Sequence, residues 1–260
     1  MKKQKIIASI EARMTSSRLP GKVLMPAIDD ISMLEFMIQR VRRSRSIDDI
    51  IVATTINPAD DPIIELCKTL NVKYYRGSEN DVLLRVLEAH KSIGSEIIVE
   101  LTGDCPLIDP NIIDEVIQEY NINNYDYVSN DHIRSYPMGL DVQVFSINVL
   151  DEVSKKTQVL EDREHVSLYI YKSGEYRLHP VIAKGDLFWP DLRITLDDKG
   201  DYNLIKAIIE YFYPFKGFDF SGLEIVKYLK KNIKLLDLLK DVKVSINPYE
   251  KTAKRKLSND

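Results

Sequence analysis

The residues best equipped for chemistry stand near the N-terminus, in the run Glu11-Ala12-Arg13-Met14-Thr15-Ser16-Ser17-Arg18-Leu19-Pro20-Gly21-Lys22. Arg13, Arg18 and Lys22 bring three cations into one short segment, with hydroxyl side chains, a proline and a glycine among them. Guanidinium groups, hydroxyls and backbone amides converging on one loop suit a triphosphate, whose charge needs several donors at once. The same composition would serve a solvated surface loop, and by composition the two readings weigh equally. A second run, Thr102-Gly103-Asp104-Cys105-Pro106-Leu107, sets a carboxylate beside a glycine and a proline. Asp104 there suits a hard divalent ion bridging phosphates, or else it caps an ordinary turn stiffened by Pro106. A third, Thr195-Leu196-Asp197-Asp198, offers Asp197 as a second oxygen ligand, with Asp198 or Asp201 available to cap a following helix.

Several common signatures are absent. There is no G-x-G-x-x-G, H-E-x-x-H or G-x-S-x-G. Gly21-Lys22 is not a P-loop, because Ser16 stands where the first glycine belongs and Val23 replaces the hydroxyl residue. His90, His132, His165 and His179 are too scattered to suggest a metal cluster.

The elements that must position these runs follow from hydrophobic periodicity. Short apolar, β-branched stretches at 5–10 (KIIASI), 50–55 (IIVATT), 72–75 and 96–101 (EIIVEL) read as buried strands. Helical spacing separates them over 32–43, where Ser32 is the expected N-cap, and over 60–70, 81–92 and 110–120. This alternation predicts an α/β fold: a Rossmann-like, mostly parallel sheet flanked by helices. The loops at 11–24, 76–80 and 102–108 all follow strands and should open on one edge, where such folds bind ligands. From residue 125 the pattern changes. Strands are expected at 125–129, 140–145, 176–182 and 192–196, and helices at 162–172 and 201–211, which suggests a small antiparallel insertion. An amphipathic helix is expected at 223–239. The organisation expected is one domain over 1–240 and a loosely held, polar, basic tail over 241–260.

Composition narrows the function classes. The chain has 260 residues, 44% of them hydrophobic, enough for a sizeable core. Its 36 basic and 40 acidic residues are mixed along the sequence and give a net charge of −4, which argues against nucleic acid as a partner and requires any anion to be held locally. Two cysteines, Cys67 and Cys105, make a disulfide framework or structural zinc site improbable. Neither a signal-peptide core nor a bilayer-spanning run is present, so a soluble, cytoplasmic protein without a membrane partner is expected.

Taken in order, these runs resemble a known family. The pattern A-R-x-x-S-x-R-L-P-G-K, carrying Arg13, Arg18 and Lys22, is similar to the signature loop of the sugar-acid cytidylyltransferases, which include the 3-deoxy-manno-octulosonate and acylneuraminate enzymes. The similarity is strongest to the spore-coat polysaccharide protein F branch. It extends through Ala53-Thr54-Thr55, Arg76-Gly77-Ser78 with Asp81-Val82-Leu83, 102–108, Gly139-Leu140-Asp141, Glu164-His165-Val166 and Leu196-Asp197. The resemblance implies a nucleotide-diphospho-sugar transferase type of fold. It also implies transfer of CMP from CTP to a sugar acid, a nonulosonic acid being one candidate, for surface polysaccharide. Arg13, Lys22 and Asp104 would then be catalytic. Ala12, Arg13, Ser17, Arg18, Lys22, Arg76, Gly77, Ser78, Asp81, Thr102 and Gly103 would bind the nucleotide. Gly139, Asp141, Gln143 and His165 would serve the acceptor, Asp104 and Asp197 would hold Mg²⁺, and a homodimer would form through 129–184.

The chain departs from this pattern at three places. Glu11 stands where relatives carry Pro or Gln, Gln143 where they often carry Glu, and Cys105 where the octulosonate enzymes carry an acidic residue. A buried free thiol is the expectation for Cys105 rather than a nucleophile. Two other readings compete: a nucleotide-sugar-dependent glycosyltransferase of similar architecture, against which the lack of a D-x-D after the fourth strand counts, and a non-catalytic nucleotide-binding subunit.

Overall fold

A computed structural model describes residues 4–240 and Val242. The tail expected over 241–260 lies, Val242 apart, outside the described residues. The four apolar runs form parallel strands β1 (Ile6–Glu11), β4 (Asp49–Thr55), β5 (Lys73–Gly77) and β6 (Ile97–Thr102). Between β1 and β4 lie a short antiparallel hairpin, β2 (Pro26–Ile28) and β3 (Ile31–Ser32), and helix α1 (Met33–Val41). The hairpin leaves no periodicity in the sequence because each strand is only a few residues long. Ser32 caps α1 as expected, its hydroxyl accepting from Glu35 N. Helices α2 (Asp61–Thr69) and α3 (Val82–Ser92) make the next two crossovers, and α4 (Pro110–Ile122) leaves β6.

The sheet continues as β7 (Tyr127–Ser129), β8 (Gln143–Ser146) and β9 (Leu178–Pro180), in the order β5-β4-β1-β6-β8-β7-β9. Strand β8 runs antiparallel to both β6 and β7, so the antiparallel portion extends the main sheet itself. Helices α5 (Ile147–Lys156), α6 (Leu160–Glu164) and α7 (Leu168–Lys172) follow β8. The single helix expected at 162–172 is broken at 165–167, where Val166 takes a positive φ of 46°. The run at 192–196 is not a strand: it makes one isolated bridge, Met138 to Arg193, and Leu192, Ile194 and Leu196 are apolar because they fill the core. Helices α8 (Lys199–Lys216) and α9 (Gly222–Lys231) complete the fold, and the helix expected to reach residue 239 tightens to a 3₁₀ stretch at Ile233–Leu239.

Alternate residues of each strand feed two cores. Ala8, Ile10, Val52 and Val99 pack on one side of the sheet, and Ile7, Ile51, Ile98 and Phe145 on the other, which is why the central strands read as continuous apolar runs. Because β1, β4, β5 and β6 are parallel, their carboxyl ends share one edge, with Glu11 of β1 level with Thr102 of β6. The chain leaves β1 toward β4 on one side, while β6 lies on the other, so the gap between their ends forms a crevice. Among the described residues no helix is long and apolar enough to cross a membrane.

Candidate active site

A cleft of about 570 Å³ opens at this edge and spreads over one face of the sheet. Its first wall is the loop after β1. Asp60, fully buried, holds that loop in place: its carboxylate accepts from Met14 N at 2.7 Å and from Thr54 Oγ1 and Thr55 N, both at 3.1 Å. Thr15 Oγ1 donates to Glu79 Oε1 at 2.6 Å, tying the loop to the turn after β5. Gly21 N donates to Met14 O at 2.9 Å and closes the segment, so that Arg13, Ser17, Arg18 and Lys22 line one cleft.

The second wall is the turn after β6. Gly103 N donates to Glu11 O at 2.9 Å, and a Cβ at Gly103 would come within 2.4 Å of that oxygen, so only glycine lets the two loops meet. Arg40, wholly buried in α1, fixes the far side of this turn by donating to the carbonyls of Leu107 and Ile108 as well as Phe218 and Phe220. The third wall is the segment before α8, joined to the second where Leu196 N donates to Asp104 O at 2.7 Å. Asp198 is the N-cap of α8, and Asp201 completes its capping box, which leaves Asp197 facing the cleft.

At the junction of the three walls the Lys22 ammonium stands 2.9 Å from Asp197 Oδ1 and 3.6 Å from Asp104 Oδ2. Arg18 and Arg193 also reach Asp197, at 3.1 and 2.7 Å. Burial works against the Lys22 charge, yet Asp104 and Asp197 outweigh it and hold its pKa above the ordinary lysine value. Burial likewise disfavours the Asp197 anion, but Lys22, Arg193 and Arg18 hold its carboxyl below the usual range. Two carboxylates thus already share one cation, and as a pair of hard oxygen donors they fit Mg²⁺, which binds through one or two carboxylates and substrate phosphates. Among the described residues no group of three or more ligating side chains forms a closed metal cage. Cys105 is a free, buried cysteine whose Sγ lies 3.2 Å from Thr102 Oγ1; burial, reinforced by Asp104, pushes its thiol well up, away from thiolate character.

The other half of the cleft lies over the sheet face. Tyr127 Oη donates to Gln143 Oε1 at 2.9 Å and Ser167 Oγ donates to the same oxygen, while Gln143 Nε2 donates to Asp131 Oδ2 at 3.2 Å. Arg134 pairs with Asp141. Gly139 N donates to Asp141 Oδ2. Its φ is 105°, and a Cβ placed there would lie only 2.7 Å from the Ile194 carbonyl oxygen, so the backbone itself requires glycine. Glu11 is partly buried, but its Oε2 is shut off from solvent, and burial pushes the carboxyl up to about 8.

The cleft therefore gathers Ala12, Arg13, Ser17, Arg18, Lys22, Thr102, Gly103, Asp104, Asp141, Gln143, His165 and Asp197. It does not gather Arg76, Gly77, Ser78, Asp81 or Gly139. The Arg76 guanidinium is spent on Thr55 O, Asn57 O and Asp61, and Asp81 caps α3 through Leu84 N and pairs with Arg163. Further lining residues escape the sequence motifs, among them the charged Arg85, Glu100, Asp131, Arg134 and Arg193. Glu100 carries a signal, a carboxylate inside an apolar strand. The others carry no motif that marks them, and only the fold brings them together.

Comparison with known proteins agrees with this geometry. A family model described as cytidylyltransferase matches residues 7–201. A protein of Methanocaldococcus jannaschii, named uncharacterized protein MJ1063, is 36% identical over 243 residues, 92% of this chain and 96% of its own length. The spore coat polysaccharide biosynthesis protein SpsF of Bacillus subtilis is 35% identical over 234 residues, 87% of this chain and 95% of its own. The solved structure of a cytidylyltransferase from Leptospira borgpetersenii superposes with a TM-score of 0.84 at 30% identity, covering 93% of this chain and 99% of that one.

Proposed function

Since the chain belongs to the cytidylyltransferase family, we propose that it transfers CMP from CTP to a hydroxyl of a sugar acid, in the cytoplasm, for the synthesis of a surface polysaccharide. The observation that carries this reading is the Lys22 ammonium between Asp104 and Asp197, with Arg18 on the same carboxylate and Arg13 in the same cleft. The acceptor oxygen bonds to the α-phosphorus, the bond from that phosphorus to the bridging oxygen breaks, and its electron pair leaves with pyrophosphate. The hydroxyl proton passes to solvent.

The residues of this chain act mainly by position and charge. Arg13 and Lys22 neutralise the triphosphate and the departing pyrophosphate, and Arg18 assists them. The backbone of Ala12, Thr102 and Gly103 and the Ser17 hydroxyl line the nucleotide. The base lies toward Val82 and Arg85, next to the segment 76–81 that holds the first loop through Glu79. Asp104 and Asp197 hold Mg²⁺, which when bound offsets charge building on the phosphate oxygens. Asp141, Gln143 and His165 face the acceptor, with Gly139 setting the backbone beneath them. The segment 129–184 meets a second copy of the chain, a reading supported by the exposed Val159, Leu160 and Ile182; light scattering should give twice the chain mass.

The name of the Bacillus relative supports the polysaccharide assignment, and the resemblance to octulosonate and acylneuraminate enzymes supports the sugar acid. The decisive experiment supplies CTP, Mg²⁺ and a panel of sugar acids, and measures released pyrophosphate beside the thermal shift given by each nucleotide. Stabilisation selective for CTP, with pyrophosphate formed only when an acceptor is present, is expected. Stabilisation by no nucleotide would overturn the proposal.

A further inference from the structure

Buried carboxyl groups with open oxygens crowd the acceptor half of the cleft. In register, Glu100 of β6 lies beside Ser9 of β1 on one side and Gln143 of β8 on the other. Glu11 stands two residues beyond Ser9, so Glu11, Ser9, Glu100 and Gln143 share one face of the sheet. Asp131 comes against this row through its hydrogen bond from Gln143 Nε2. Glu100 is only 4% exposed, lines the cleft, and its Oε2 accepts no hydrogen bond. Glu11 Oε2 and Asp131 Oδ1, also on the cleft, are likewise without a hydrogen-bond partner among the described residues.

Buried oxygens left open in this way are costly, and they persist where a ligand completes them. The neighbouring guanidinium groups place their terminal nitrogens on other acceptors, Arg134 on Asp141 and Arg85 on the carbonyls of Ser78 and Glu79, and although their charges still favour the Asp131 and Glu11 anions they complete none of the three open oxygens. What fits is a compact group with several N–H donors and a positive charge, which a primary ammonium provides.

We propose that Glu100, Glu11 and Asp131 form a subsite for a protonated amine carried by the acceptor, which therefore belongs to the amino-sugar class. The inference rests on the reading of this cleft as the site of CMP transfer. Burial raises the Glu100 and Glu11 carboxyls, the latter to about 8, so that without a cation the wall tends to hold protons; an ammonium supplies the missing countercharge. An acetyl group on that nitrogen would remove the charge, and a hydroxyl in its place would supply a single donor.

The test compares matched acceptors that carry a free amine, a hydroxyl or an acetamide at the same carbon, with CTP and Mg²⁺ present. It reads pyrophosphate release for sugar acids and thermal shift for the simpler 2-amino, 2-hydroxy and 2-acetamido hexoses. The amine member should be favoured by about 10- to 100-fold in kcat/KM. The near-isosteric Glu100→Gln should erase that preference while the protein still responds to CTP in the thermal shift, which shows that it is folded. The proposal is overturned if the hydroxyl or acetamide member does as well as the amine, or if Glu100→Gln keeps the preference. A wild-type protein that CTP does not stabilise fails one step earlier, at the proposed function, and takes the subsite with it.

Discussion

The two halves of the cleft treat charge in opposite ways. At the strand ends every carboxylate that matters meets a cation: Asp197 is shared by Lys22, Arg18 and Arg193, and Asp104 faces Lys22. Over the sheet face, Glu11, Glu100 and Asp131 each leave an oxygen without a partner. The charges of the first half are balanced within the protein, and in the function proposed for this chain they would exchange with a triphosphate and its metal. The second leaves oxygens open, which the proposed ammonium would complete, and burial raises its Glu11 and Glu100 carboxyls. A balanced site grips a common ligand, whereas an unbalanced one selects by what is missing.

The largest expected effect breaks the balanced half. Lys22→Ala should lower kcat/KM for pyrophosphate release by about 10²- to 10³-fold, since it removes the cation that both carboxylates share and that faces the triphosphate. Activity within a few-fold of wild type, measured on folded protein, would remove Lys22 from the site. Next, Asp60→Ala should unhook the first loop from Met14 N, Thr54 and Thr55. It should cost about 2–4 kcal/mol in chemical denaturation and raise KM for CTP; an unchanged KM would mean that the loop holds its shape without this clamp.

A smaller effect probes the unbalanced half through pH. The Glu11 carboxyl is raised from 4.5 to about 8, so between those values the folded protein binds more protons than the unfolded chain and stability falls as pH rises. Glu11→Gln should therefore melt as the wild type does below pH 4.5 and progressively higher than it as pH rises toward 8. A gain that is constant across pH would show that the carboxyl ionises normally. The smallest effect is expected at Cys105→Ser, because the thiol is buried and held protonated. Turnover within about 3-fold of wild type should persist, and its abolition would reopen a nucleophilic role.

The legibility of the site follows the same division. The first loop is readable because its donors are contiguous, and a contiguous run keeps its meaning without a fold. Ala53-Thr54-Thr55 stands out in the sequence only as part of a resemblance, and the structure supplies its physical reason, the hydroxyls that hold Asp60. Arg76 and Asp81 belong to recognisable motifs, yet their side chains are engaged in holding β5, α2, α3 and α6 together. Spacing shows which residues recur and leaves open which way they point. The run at 192–196 misleads for a related reason: alternation marks a surface packed on one side, and an irregular segment against a core produces it as well as a strand does.

By itself the amino-acid sequence determined the alternating α/β order, the edge on which the loops open, and the cationic loop with its two distant aspartates. These depend on local periodicity and on residue types within short runs. Only the tertiary structure decided that Asp104 and Asp197 converge on Lys22, that Asp198 rather than Asp201 is the N-cap of α8, and that Glu11, Glu100 and Asp131 line one cleft. Those relations join strands through cross-strand register and close packing, and they decide which charges are neutralised and which are left for a ligand to complete.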